Sequence, residues 1–215
     1  MPVLHYHPGD ASMIAHIVLE ECGAPFALEF VDRAQAAHKS PEYLKLNPNG
    51  LIPVLIDGDL VLYETAAICL HLADANPSAA LIAAPGTPLR AQVTKWLVWM
   101  SSTLQSTLLL YFYPERWVNP GNSGAADEVR ARAEARVGEL LEQLDAQVAA
   151  AGGPWLLGER YSIADAYALV LCRWTRGFGR PARTYAHLGP YLQRMLARPA
   201  VKRVLATEKI GAPLV

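Results

Sequence analysis

Cysteine is scarce in this chain. Cys22, Cys69 and Cys172 are the only three among 215 residues, and they lie far apart in apolar helical patterns. An odd, scattered set excludes a disulfide framework and points to reduced, packed thiols. No apolar run approaches the ~20 residues that a membrane-spanning helix needs, so no membrane is expected as a partner. The net charge is only −1 and the isoelectric point about 6.6, which leaves no global field for nucleic acid or an anionic lipid surface. The opening Met1-Pro2-Val3-Leu4-His5-Tyr6 has no basic stretch running into an apolar one, so it does not read as a signal peptide. Internal repeats and low-complexity tracts are missing too. A soluble, cytoplasmic protein is the expectation. What is plentiful is apolar material: 52% of residues are hydrophobic and mean hydropathy is +0.14. A chain of this length should bury on the order of 70% of its unfolded surface, in one or two compact units.

The pattern changes character part-way along. Val3 to Tyr6 reads as a strand, Ala11 to Cys22 as a helix stopped by Gly23, and Phe26 to Val31 as a second strand, parallel to the first. Ser40-Pro41-Glu42 opens a short helix, with serine as cap and proline in the first turn. A hairpin turning at Asp57-Gly58-Asp59 and a helix over 64–75 complete a β-α-β-α-β-β-α order, which is the thioredoxin-like order. Three prolines and a glycine between Asn76 and Pro88 mark a linker. Beyond it everything looks helical. One long helix is expected from Thr87-Pro88 to about Phe112, and a second from Ala125 to Ala151. A third opens at Ser162-Ile163-Ala164-Asp165 with a capping-box pair and is apolar nearly all round, so it should be central. The fold class is therefore α/β plus all-α, divided into residues 1–76, a linker at 77–87 and a helical domain at 88–215.

The most informative stretch is Asn47-Pro48-Asn49-Gly50-Leu51-Ile52-Pro53-Val54-Leu55, with Tyr63-Glu64-Thr65-Ala66-Ala67-Ile68 shortly after it. Pro53 cannot donate to a sheet ladder, so it belongs at an edge or a bend. A cis Ile52-Pro53 bond would turn the Ile52 backbone outward as a free donor and acceptor. Glu64 and Thr65 stand at a helix start, where unpaired amides suit a carboxylate. A docking edge beside an anion pocket fits a small peptide with a free carboxylate.

These residues resemble the glutathione site of the glutathione transferase superfamily, in which an Asn-Pro-x-Gly-x-(Val/Ile)-Pro-x-Leu run precedes Glu-(Ser/Thr)-x-Ala-Ile. The Ser162-x-x-Asp165 box matches the one in that family's helical domain, so the resemblance covers nearly the whole chain, closest in motif to the bacterial beta and plant phi classes. It implies that Ile52, through its backbone, and Pro53, Glu64 and Thr65 hold glutathione. Glu64 would take the ammonium and Thr65 the carboxylate of the γ-glutamyl end. His38 and Lys39 match a phi-class pair of cationic donors to the glycine carboxylate. Leu51 departs from a glutamine common at that place.

Ser12 is the leading catalytic candidate. By position alone it is a first-turn helix residue, a cap in place of Asp10, or a hydroxyl aimed at an anion. A thiol of pKa near 8.5 is only about 3% ionised at pH 7, so a donor to the thiolate is what catalysis requires. The resemblance assigns that role to Ser12. Ala11 replaces the beta-class cysteine, which excludes a mixed disulfide there. Tyr6 matches a strand-end tyrosine used by animal classes and stands as the alternative, or as part of the second substrate's pocket. Thr103, Thr107 and Tyr111 on the long aromatic helix are expected in that pocket. His5 and His7 share a strand face but lack partners at metal-ligand spacing, so no metal is expected.

What the resemblance implies is a serine-type glutathione transferase concerned with detoxification and acting as a homodimer. Glutathione is its co-substrate, there is no other cofactor, and an apolar electrophile is attacked. The alternatives on the same fold are a glutathione-dependent disulfide reductase, peroxidase or isomerase, and a non-catalytic binding or regulatory protein.

Overall fold

Short apolar runs and turn chemistry build the first half of the chain as its sequence suggests. In the computed structural model, which describes residues 1–215, β1 (Val3–Tyr6) leads into α1 (Ser12–Cys22) and β2 (Ala27–Phe30). Next come α2 (Pro41–Leu46), β3 (Val54–Asp57), β4 (Leu60–Tyr63) and α3 (Thr65–Ala75). The strands form one sheet in the order β2-β1-β3-β4. β1 and β2 run parallel, in the register Val3 to Ala27, because a helical crossover returns the chain in the same direction. β3 is antiparallel to both β1 and β4, with Val54 opposite Tyr63. α1 ends at Gly23, whose φ of +68° only glycine adopts freely. Ser40 Oγ caps α2 by accepting from the Tyr43 N–H at 3.2 Å.

Two compact units result: Met1–Arg90 with Met195–Ala212, and Ala91–Arg194 with Pro213–Val215. The first therefore includes a C-terminal segment that the sequence places in the helical domain. The physical reason lies in α1, which is buried continuously from Ser12 to Leu19 and needs apolar cover on more than one side. It packs on β1, α3 and α9 (Pro199–Thr207). Val201 and Val204 supply apolar contact from α9. Arg198 adds a two-point ion pair to Glu21, at 2.6 and 2.8 Å.

The second unit is helical: most of α4 (Pro88–Trp99), α5 (Ser106–Phe112), α6 (Ser123–Ala150), α7 (Ile163–Trp174) and most of α8 (Leu188–Ala197). The expected continuous helix to Phe112 is interrupted, because Met100–Gln105 forms a π-helical segment between α4 and α5. A Ser-Ser-Thr run explains the break. Ser101 and Ser102 hydroxyls both donate to the Val98 carbonyl, at 3.1 and 2.7 Å, and Ser106 donates to the Ser101 carbonyl. Hydroxyls that compete for helical carbonyls loosen the regular ladder. α7 is the buried axis, with Ile163 through Arg173 all sequestered. The capping box is present, and Asp165 does more than cap. Its carboxylate accepts from the Leu156 and Ser162 N–H groups at 2.8 Å and from the Tyr191 hydroxyl at 3.0 Å.

Candidate active site

The turn before β3 is organised around one carbonyl. Asn47 Oδ1 accepts from the Asn49 N–H, while its Nδ2 donates to the Leu51 carbonyl at 2.9 Å. The Tyr43 hydroxyl donates to that same oxygen at 3.0 Å. The peptide leading into Ile52 is thus clamped from two sides. The Ile52-Pro53 bond is cis, and neither the N–H nor the C=O of Ile52 has a partner within the chain. Tyr43 and Asn47 hold this turn in place, a contribution that the motif reading did not assign to either. Leu51 points to solvent, 53% exposed, so it contributes its backbone rather than its side chain.

One step beyond the Val54–Tyr63 pairing, the hairpin register sets Glu64 opposite Pro53. Glu64 caps α3 with φ +72° and ψ +109°, outside the regions that L-residues prefer. Such a conformation costs about 1–3 kcal/mol and is held only where surroundings dictate it. Its carboxylate is exposed and has no ion-pair or hydrogen-bond partner in the chain. Thr65, the first residue of α3, follows at 7% exposure. The first helical bond of α3 runs from the Ile68 N–H to the Glu64 carbonyl, so the amides of Thr65, Ala66 and Ala67 are open to an anion.

His38 and Lys39 come beside this turn. Lys39 Nζ donates to the Asn49 carbonyl at 3.1 Å. Gly50, at φ +57°, admits the approach, because a Cβ there would stand 2.7 Å from Lys39 Nζ and 2.8 Å from the His38 carbonyl. His38 differs from the expectation of a second cation. Burial first, then the positive Lys39 and Arg33, hold its pKa below the usual imidazole value. At neutral pH it is a neutral donor, and its Nδ1 is buried without a partner. Four predicted residues, His38, Lys39, Ile52 and Pro53, therefore converge at one edge, with Glu64 and Thr65 alongside.

The turn between β1 and α1 holds the remaining candidate. Ser12 opens α1 as expected, but it is wholly buried. Its Oγ donates to the His7 carbonyl at 3.0 Å and accepts from the His7 N–H at 3.1 Å. The hydroxyl staples the turn and has no proton left for a ligand. The amides of Ala11 and Ser12, in contrast, have no acceptor within the chain. They are the open donors at the positive end of α1. Asp10 pairs with Arg33 at 2.8 Å. Tyr6 packs its ring edge-on against His16 and Phe30, a packing position. None of the chain's own thiols competes as a nucleophile: burial pushes Cys22 up to about 11, and Cys69 and Cys172 higher still.

Thr103, Thr107 and Tyr111 lie one above another in the second unit, each half-buried. Thr107 Oγ1 donates to the Thr103 carbonyl at 2.7 Å, and Tyr111 packs on Phe178 with ring centres 4.2 Å apart. Tyr6 belongs to the other unit. Arg116 lies over the Tyr113 ring, and Trp117 is 63% exposed.

Comparison with known proteins matches both units. The family model for the glutathione S-transferase N-terminal domain matches residues 1–74, and that for the C-terminal domain residues 99–199. The chain is 32% identical to glutathione S-transferase GST-4.5 of Xanthomonas campestris over 97% of its length and 99% of the relative's. It is 30% identical to glutathione S-transferase GstA of Escherichia coli O157:H7, over 95% and 98%. Among solved structures it is similar to a glutathione transferase homologue from Sulfitobacter with bound glutathione. That likeness has a TM-score of 0.87 and 29% identity, covering 96% of this chain and 98% of that one.

Proposed function

We propose, for a chain that belongs to the glutathione S-transferase family and is a glutathione transferase, that the Ile52 edge, the α3 N-terminus and the β1–α1 turn divide one glutathione molecule among them. The observation that carries this is the unpaired Ile52 backbone beside the exposed, strained Glu64 and the open amides of α3. The cysteinyl backbone of glutathione pairs with Ile52 as an added strand. The γ-glutamyl ammonium meets Glu64, and its carboxylate meets Thr65 and the α3 amides. Lys39 and neutral His38 serve the glycine carboxylate.

This pose directs the sulfur to the β1–α1 turn, where the Ala11 and Ser12 amides and the α1 dipole favour thiolate over thiol. Ser12 acts through the turn it braces. The thiolate then forms a carbon–sulfur bond to an apolar electrophile, with departure of a leaving group or opening of a strained ring. The glutathione site falls within residues 1–76, which we join through the 77–87 linker to a helical domain at 88–215, α9 excepted. From that domain Thr103, Thr107 and Tyr111 are assigned to the electrophile. The exposed Leu60, Val61 and Val98 offer apolar surface for a cytoplasmic homodimer, and the three unpaired cysteines suit the reducing compartment that supplies glutathione.

Titration calorimetry with glutathione, followed by turnover of a chloro-nitroaromatic and of a disulfide substrate, tests the reading. Binding with faster aromatic turnover supports it. No binding refutes the site, and disulfide turnover alone replaces transferase by reductase.

A further inference from the structure

Asp10 stands immediately before the Ala11 and Ser12 amides, and a negative charge is out of place there. The positive end of α1 favours an anion, but a carboxylate beside it repels the thiolate that those amides would hold. Asp10 is not spent on the helix: the start of α1 has no side-chain cap bond. Its carboxylate is drawn instead to Arg33, three residues past the end of β2, with Oδ2 2.8 Å from Nη1. The two side chains are 29% and 35% exposed, so water and salt screen the pair only in part. Other charged and titratable groups surround the turn. Lys39 Nζ is held by the Asn49 carbonyl, and His7 Nδ1 lies 3.0 Å from the Val31 carbonyl. From α9, Glu208 Oε2 accepts from the Gly9 N–H at 2.8 Å, and its Oε1 lies 2.8 Å from His16 Nδ1. Beyond the effect of burial, Lys39, Arg33 and His7 lower the His38 pKa while Asp10 raises it, so these side chains stand in one another's fields.

We propose that Arg33 is a positioning residue for thiol activation that acts through Asp10. Its guanidinium holds the Asp10 carboxylate and cancels its charge, so that the field of the Ala11 and Ser12 amides reaches the glutathione sulfur undiminished. The inference rests on the reading above that the thiol ionises at this turn. Arg33 does not touch the sulfur.

The full-length protein is compared with Arg33→Gln, Arg33→Lys, Asp10→Asn and the double variant Asp10→Asn/Arg33→Gln. The measurements are the pKa of bound glutathione from ultraviolet thiolate absorbance at low and high salt, turnover of a chloro-nitroaromatic, and the thermal midpoint. Arg33→Gln raises the bound thiol's pKa by about half to one unit, the effect of a unit charge about 7 Å away at an effective dielectric constant of about 40–80. Turnover at a pH below that pKa falls in step, about three- to tenfold. Arg33→Lys keeps the charge and stays near wild type. Asp10→Asn leaves Arg33 unbalanced and lowers the thiol pKa, and the double variant returns close to the wild-type value. About 1 M salt shortens the screening length to about 3 Å and removes most of the Arg33→Gln shift. Thermal midpoints stay near wild type throughout, because a part-exposed pair contributes little to stability.

Arg33→Gln with a wild-type thiol pKa overturns the proposal. So does a shift that the double variant retains in full, which would place Arg33 on glutathione itself, or one that salt leaves intact, which would make the pair a brace. If Arg33→Gln does not fold, Asp10→Asn decides: an unlowered pKa overturns the proposal. If glutathione bound to the wild type ionises no more readily than free glutathione, it is the thiol-activation reading itself that falls.

Discussion

Replacing Ser12 by alanine separates two ways in which a serine at this position can support catalysis. The side chain bonds both backbone groups of His7. On its removal the His7 carbonyl keeps a partner, since it also accepts from the Asp10 N–H at 3.2 Å. The His7 N–H does not, and one orphaned donor in a part-buried turn costs about 1–3 kcal/mol. In a chain of this size each kcal/mol lowers the thermal midpoint by roughly 2–4 °C. Ser12→Ala is therefore expected to melt several degrees lower. Because the turn relaxes, its bound thiol should be less acidic and its turnover reduced by about tenfold, in step with a one-unit rise in thiol pKa. Cooling, or adding glutathione to tighten the turn, should recover part of the loss. Scanning calorimetry, thiolate absorbance and steady-state kinetics on the same preparation provide the check. A direct donor to the thiolate behaves otherwise, since losing one typically costs on the order of 10²–10³ in rate without loosening the fold. An unchanged midpoint with such a rate loss would refute the brace and restore Ser12 as the group that touches sulfur.

Three further outcomes are expected. Glu64→Ala removes a charge-assisted pair with the γ-glutamyl ammonium, worth about 1.5–3 kcal/mol, so calorimetry should show glutathione binding weakened about tenfold or more; equal affinity would exclude Glu64 from the site. Asp165→Ala orphans the buried donors of Leu156, Ser162 and Tyr191, at about 1–3 kcal/mol each; the midpoint and soluble yield should fall steeply while activity per folded molecule holds, and a stable but inactive variant would reverse that assignment. Burial raises the pKa of Asp145, but hydrogen bonds from the His187 ring and from the Leu188 and His187 amides outweigh it and lower the net value. A depressed carboxyl stabilises the fold above its unfolded pKa, near 3.9, and that contribution is lost as pH falls through the folded value. Asp145→Asn should therefore flatten the acid side of the midpoint-versus-pH curve and leave less to lose below about pH 4.

Short-range chemistry was legible in the sequence by itself. Short apolar runs on either side of the Asp57-Gly58 turn specified the hairpin. Ser40-Pro41 and Ser162-x-x-Asp165 specified two helix starts, and the Ile52-Pro53 and Glu64-Thr65 spacing marked the bend and the helix start that we propose hold glutathione. Each depends on residues a few positions apart, whose geometry the backbone dictates. Tertiary structure decided everything that turns on a partner distant in sequence or on what burial leaves accessible. The Ser12 hydroxyl is spent on His7 because the turn closes over it, and burial and the neighbouring Lys39 and Arg33 lower the His38 pKa. The Ser101-Ser102 hydroxyls break a helix that periodicity alone would continue. α9 leaves the helical domain because α1 needs apolar cover, and Glu208 meets Gly9 only through that packing. No local pattern marks such a carboxylate, since its meaning lies wholly in the donors that the fold brings to it.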